Sequence, residues 1–185
     1  MNRFFVRSRH TCLEHICINY HYYLEKIMKT AASIYPESVF LVSGGAKGIT
    51  AKCVIELAKQ YPCKFILLGR SELLEAEPSF AKDCFDEANL KKLIMEDLLA
   101  RGEKPTPIQV KKIYNQIISD REIKQTLETI ELAGGQAKYI SADVTNTDEL
   151  QQKITAVTEN MGKITGIIHG AGNLADKLIE KKTED

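Results

Sequence analysis

The chain has 185 residues, enough for one domain, or one domain with an appendage, to bury a sizeable core. Its 25 lysines and arginines balance its 25 aspartates and glutamates, so nothing in the charge favours nucleic acid or a membrane surface as partner. With 44% hydrophobic and 27% charged residues, and no apolar run near the ~18 residues of a membrane span, the composition is that of a soluble globular protein.

Arg3, Arg7 and Arg9 make the start basic, but Glu14, His15, Asn19 and Glu25 follow in place of an apolar segment, so no secretory signal is expected. Leu13, Ile16, Cys17, Tyr20, Leu24 and Ile27 recur at helical spacing and predict a helical appendage within residues 1–37. Cys12, His15, Cys17 and His21 match no zinc finger or ribbon spacing and have no second ligand pair, so no metal site is expected. The five cysteines (Cys12, Cys17, Cys53, Cys63, Cys84) are odd in number and lack repeated CxxC pairing, which reads as reduced thiols in the cytoplasm.

After Pro36 an apolar run, Val39 to Val42, leads into Ser43-Gly44-Gly45-Ala46-Lys47-Gly48-Ile49-Thr50. Ile49, Cys53, Val54, Leu57 and Ala58 then form one helical stripe, closed by Pro62. Phe65 to Leu68 is a second apolar run that ends at Gly69-Arg70. Together these make a strand, a glycine loop, a helix and a strand within about thirty residues, the size of a dinucleotide-binding unit.

From Ser71 to Asp120 no strand is expected, whereas compact α/β domains join their elements with loops of ~2–6 residues. Residues 72–120 therefore read as a helical insertion. Leu90, Leu93, Ile94 and Leu98 form one stripe in it, and Val110, Ile113, Tyr114 and Ile117 form another. Thr106 as N-cap, Pro107 at the first helical position and Gln109 as partner of a capping box start the second helix. The acidic residues Glu72, Glu75, Glu77, Asp83, Asp86 and Glu87 lack the spacing of a calcium loop and read as solvated surface.

Alternation then resumes. Ile123, Leu127 and Ile130 mark a helix ended by Gly134-Gly135, and Ala137 to Ala142 is a strand that ends at Asp143-Val144. Asn146 and Glu149 open a helix carrying Leu150, Ile154, Val157 and Met161, and Ile164 to Ile168 leads into His169-Gly170-Ala171-Gly172. The expected fold is thus α/β: a Rossmann-like, doubly wound parallel sheet, truncated after about four strands, with a helical insertion, in residues 38–185. Its glycine loops lie at the carboxyl ends of the strands and can converge on one ligand.

Gly44 permits a sharp turn, Gly48 a close approach of helix and backbone, and the helix-start amides suit a diphosphate. Lys47 precedes Gly48, which is not the Gly-Lys-Ser/Thr order of a triphosphate loop. At the end of the second strand, where an acidic residue would bind the ribose of NAD, stands Arg70, which suits a 2′-phosphate; Lys47 adds a second positive charge. NADP(H) is the expected cofactor.

The loop SGGAKGIT resembles the TGGxxGxG loop of short-chain dehydrogenases. With LLGRS, ADVT, IIHGAG and the insertion carrying GEKPTP, the chain is similar to the ketoreductase domains of polyketide and polyunsaturated-fatty-acid synthases. The resemblance implies that Ser43, Gly44, Gly45, Lys47, Gly48 and Ile49 line the pyrophosphate and ribose, and that Arg70 and Ser71 hold the 2′-phosphate. It places Asp143 and Val144 beside the adenine, and Gly170, Ala171 and Gly172 beneath the ribose and nicotinamide. Ser43 for threonine and Thr50 for the third glycine are departures. The parent reaction reduces a β-ketoacyl thioester presented on an acyl carrier, with a tyrosine as acid on elements after the fourth strand.

Asp185 lies thirteen residues past Gly172, so the expectation is a cofactor-binding half with no catalytic residues, inactive alone. The only tyrosine followed four positions later by lysine, Tyr22 with Lys26, precedes the first strand and is not expected to replace the missing acid. The expected partner is the remainder of a ketoreductase or of a multifunctional synthase, with self-association through the edge strand Thr165 to His169. The alternatives are a non-enzymatic NADP(H)-binding or synthase-docking module, and a reductase completed by another polypeptide.

Overall fold

The computed structural model describes residues 34–172; the expected helix at 13–27, the Cys12, His15, Cys17 and His21 group and the Tyr22/Lys26 pair lie outside them. The chain divides after Ile34, and every described strand and helix belongs to the unit Tyr35–Asp185.

Four parallel strands, β1 (Val39–Ser43), β2 (Lys64–Gly69), β3 (Gln136–Ser141) and β4 (Gly166–His169), lie in the order β3-β2-β1-β4. The expected apolar runs are these strands. Phe65, Ile66, Leu67 and Leu68 are all buried, as a central strand covered on both faces requires. Edge strand β3 alternates instead over its first four residues, with Gln136 and Lys138 exposed and Ala137 and Tyr139 partly buried.

The chain steps from β1 to β2 to β3 and returns past β1 to β4. Right-handed crossovers then place α1 (Gly48–Gln60) and α3 (Pro107–Leu132) on one face and α4 (Thr147–Met161) on the other. α4 lays Leu150, Ile154 and Val157 on Val39, Ile66, Leu68, Ile140 and Ala142. On the opposite face the Phe40 and Phe65 rings stack 5.9 Å apart. This is the expected doubly wound Rossmann-like α/β fold.

Between β2 and α3 stand a short 3₁₀ turn (Ser79–Ala81) and α2 (Glu87–Ala100). The predicted stripes meet in a core of their own: Leu90, Ile94 and Leu98 of α2 pack with Val110, Ile117 and Ala81. No strand interrupts this segment among the described residues, and they hold no cluster of acidic, histidine or cysteine side chains able to bind a metal.

The sequence suggests one helix ending near Asp120 and another marked by Ile123, Leu127 and Ile130, but α3 is one helix of 26 residues. The reason is Asp120, a charged residue seated on the apolar stripe and 2% exposed. Its carboxylate accepts from the Leu74 amide at 2.8 Å and pairs with Lys124 at 2.8 Å, so the stripe continues through it. At the start of α3, Thr106 Oγ1 accepts from the Gln109 amide at 3.2 Å as expected. The Gln109 side chain instead donates to Glu103 at 2.7 Å, so only half of the capping box forms. Gly134, at φ +87°, closes the helix.

Candidate functional site

Parallel strands put Ser43, Gly69, Ser141 and His169 together at the carboxyl ends of the sheet, and every predicted site residue lies at or just after one of these ends. The loop after β1 turns at Gly44, whose φ is +69° and whose amide donates to Leu68 O at 2.8 Å. A Cβ at Gly44 would stand 3.0 Å from the backbone of Gly170 and Ala171, so the first and last glycine loops cross here. The close approach expected at Gly48 is therefore made by Gly44. Gly48 has open space around it and needs glycine for its φ of +64°. A Cβ at Gly45 would press on Val42 at 2.5 Å, which seats the loop against the sheet.

Ser43, 6% exposed, ties the two loops together. Its Oγ shares a hydrogen bond with His169 Nδ1 at 2.6 Å and accepts from the Ala171 amide at 3.3 Å, while its carbonyl accepts from Gly170 N at 2.9 Å. Thr50, in the position of the expected third glycine, packs its side chain where a Cβ on Gly170 would otherwise be. The space lost on the helix side is returned on the β4 side.

α3 braces the same loop. Ser119, Glu122 and Thr126, spaced by three and four residues, share one face of the helix. Ser119 Oγ accepts from Lys47 Nζ at 2.6 Å, Glu122 Oε1 accepts from the Gly48 amide at 2.8 Å, and Thr126 Oγ1 donates to Ala46 O at 3.0 Å. Sequence reasoning misses these three. Their only signal is polar residues at helical spacing beside the apolar stripe, and that does not name the loop they reach.

Of the predicted residues, Lys47 and Ser71 meet directly: Lys47 Nζ donates to Ser71 Oγ at 3.1 Å. No carboxylate lies within 4.0 Å of the Lys47 ammonium among the described residues. Tyr139 OH fixes the turn by donating to Ser71 O at 2.6 Å, and burial pushes its phenol up from the ordinary value. Arg70 and Val144 are exposed, as is Ile49 on α1. α1 has no acidic residue in its first turn, and the positive end of its dipole is opposed by Glu122 from α3, whose Oε1 accepts from the Gly48 amide.

Asp143 closes a turn in which its Oδ1 accepts from Thr145 N at 2.9 Å and from Thr145 Oγ1 at 2.8 Å. The Thr145 amide, then its hydroxyl, hold the Asp143 carboxyl below its usual range, and the nearby Arg70 charge adds to this. The turn's stabilisation is therefore complete above the ordinary aspartate pKa of about 3.9 and disappears as pH falls through the lower folded value. Carbonyl-carbon NMR titration should find Asp143 below that range, with Thr145→Ala, which keeps the amide and removes the hydroxyl, moving it part of the way up; a midpoint in the ordinary range for the wild type would refute the assignment, and an unchanged midpoint in Thr145→Ala would refute the hydroxyl's share.

This arrangement, with two glycine loops crossing at strand ends and, beside the second strand, an ammonium held by two hydroxyls and without a carboxylate partner among the described residues, fits an anionic dinucleotide. The family model described as the KR domain matches residues 38–185. The chain belongs to the KR domain family. Its fold places it within the short-chain dehydrogenase/reductase superfamily. It is 35% identical over 159 residues to a polyunsaturated fatty acid synthase of Thraustochytrium sp., the match covering 82% of this chain and 6% of that protein. It is 26% identical over 141 residues to the polyketide synthase PksL of Bacillus subtilis, covering 76% of this chain and 2% of the other. Among solved structures it is similar to an N-terminal ketoreductase from the macrolactin assembly line, at TM-score 0.50 and 26% identity, covering 83% of this chain and 22% of that one. The fold also matches a dehydrogenase from Burkholderia cenocepacia with bound NADP, at TM-score 0.51 and 16% identity, covering 86% and 43%. This KR chain thus spans a small part of the synthases it matches.

Proposed function

We propose that residues 38–185 form the NADP(H)-binding portion of a β-ketoacyl thioester reductase of a polyketide or polyunsaturated-fatty-acid synthase. The observation behind this reading is the Lys47 ammonium, held at the end of β2 beside Ser71 and without a carboxylate partner among the described residues. A cation in that place suits the 2′-phosphate of NADP(H), and Arg70 adds charge from solvent.

In this reading Ser43, Gly44, Gly45, Gly48 and Ile49 shape the bed for the diphosphate and ribose. Asp143 and Val144 flank the adenine, and Gly170, Ala171 and Gly172 run beneath the nicotinamide ribose. The bound nicotinamide supplies hydride. Ile49, 64% exposed, and Val144, 40% exposed, offer apolar surface to cover the cofactor's edges. The acid that protonates the new alkoxide belongs, in the family, to elements after the fourth strand. A polypeptide of these 185 residues is therefore proposed to bind cofactor without turnover.

No described helix is long and apolar enough to cross a membrane, and Cys63 and Cys84 stand as thiols outside any disulfide. A cytoplasmic setting suits both. The outer edge of β4, with Ile167 72% exposed, is the proposed pairing edge for the remaining strands of a ketoreductase or for a second copy.

Fluorescence titration of the chain with NADPH and with NADH tests the reading. NADPH should bind about tenfold or more tightly, because one charge-assisted phosphate contact is worth ~1.5–3 kcal/mol. Equal affinities would overturn the 2′-phosphate assignment, and NADPH oxidation by a β-ketoacyl thioester would overturn the proposed inactivity.

A further inference from the structure

We propose that Ser119 is a positioning residue for 2′-phosphate recognition: its hydroxyl, delivered by the insertion helix α3, holds the Lys47 ammonium against Ser71. This rests on the NADP(H) reading and extends it to a residue outside every motif.

Lys47, Ser71 and Ser119 form a closed triangle. Lys47 Nζ donates to Ser119 Oγ at 2.6 Å and to Ser71 Oγ at 3.1 Å, and Ser119 Oγ donates to Ser71 Oγ at 3.0 Å. Counting donors shows what the triangle lacks. An ammonium has three N–H groups and each serine one O–H. Two ammonium hydrogens and the Ser119 hydrogen are used within the triangle. One ammonium hydrogen and the Ser71 hydroxyl hydrogen remain without an acceptor among the described residues. A partly buried group with two spare donors, a full positive charge and no neutralising carboxylate calls for an anion with several oxygens. A phosphate monoester is such an anion.

Ser119 is the member that fixes the geometry. It is 8% exposed, so water cannot readily replace it, whereas Lys47 and Ser71 are partly exposed. Lysine on its own is a flexible point charge with large rotamer entropy, and its direction must be imposed by a neighbour. Here the neighbour comes from a helix that also grips Ala46 and Gly48, so ammonium and loop share one support. Ser119 need not touch the phosphate. It presents the cation that does.

The test measures binding of adenosine 2′,5′-bisphosphate and of adenosine 5′-phosphate to the 185-residue chain, as wild type, Ser119→Ala and Ser119→Thr. Wild type should prefer the bisphosphate. Ser119→Ala should cut that preference about fivefold, the worth of one hydrogen bond, with 5′-phosphate affinity unchanged. Ser119→Thr, which keeps the hydroxyl, should recover most of it. Lysine side-chain NMR gives a second reading: the Lys47 resonance should shift with bisphosphate in wild type and Ser119→Thr, and shift less in Ser119→Ala. A wild-type preference left intact in Ser119→Ala, with an unchanged Lys47 shift, overturns the role of Ser119 alone. Absence of preference in the wild type overturns the NADP(H) reading and this proposal together.

Discussion

Lys47→Ala should weaken NADPH binding by about 10- to 100-fold, the range set by a charge-assisted hydrogen bond of ~1.5–3 kcal/mol, while NADH affinity stays within about twofold. Arg70→Ala should cost less, even though the arginine is the residue the strand-end pattern singles out. Arg70 is exposed, and its field is shared with the Asp143 carboxylate; exposed charges are screened by water and salt. Lys47 is half-buried and fixed by two hydroxyls. Titration of both variants at two ionic strengths separates them: the Arg70 contribution should fade with salt and most of the Lys47 contribution should persist. The reverse ranking would mean that Arg70, and not Lys47, is the main phosphate ligand.

Gly170→Ala should destabilise the chain by ~1–3 kcal/mol through overpacking, because the added methyl would run into the Thr50 side chain, with Cγ2 at 2.6 Å and Cβ at 3.0 Å. Since Thr50 lies in the first turn of α1 and Gly170 follows β4, the clash also pushes apart the two loops expected to hold the cofactor. Thr50→Gly on its own costs only a fraction of a kcal/mol in helix propensity, roughly the Gly-to-Thr difference. Combining the two should restore most of the stability and binding, with a coupling energy of about 1–3 kcal/mol in a urea-unfolding double-mutant cycle. Additive losses would show that the two side chains do not share this space.

The four strands could be read from the chain because a parallel sheet buried on both faces leaves continuous apolar runs such as Phe65 to Leu68. The loops at their ends could be read because Gly44 and Gly48 answer to backbone conformation, which is local. What stayed hidden depends on residues far apart in the chain. Asp120 reads as a break in a helical stripe until its partners, Leu74 and Lys124, are seen. The reach of Ser119, Glu122 and Thr126 to Lys47, Gly48 and Ala46 spans more than seventy residues, and a period of 3.6 says which residues share a face but not what that face meets. For the same reason the tight crossing was expected at Gly48 and is found at Gly44, since only the placement of β4 against β1 decides it.

The unbroken length of α3 gives the molecule a mechanical linkage. At 1.5 Å per residue its 26 residues make a rod of about 39 Å. Its amino-terminal part is set in the insertion's own core through Val110 and Ile117, and from its middle onward it grips the first glycine loop through Ser119, Glu122 and Thr126. The insertion and the loop are therefore expected to open as one cooperative unit, because the same helix carries both sets of contacts. Occupancy at the strand ends should then be felt as slower amide hydrogen exchange in α2, which packs on α3 through Leu90, Ile94 and Leu98.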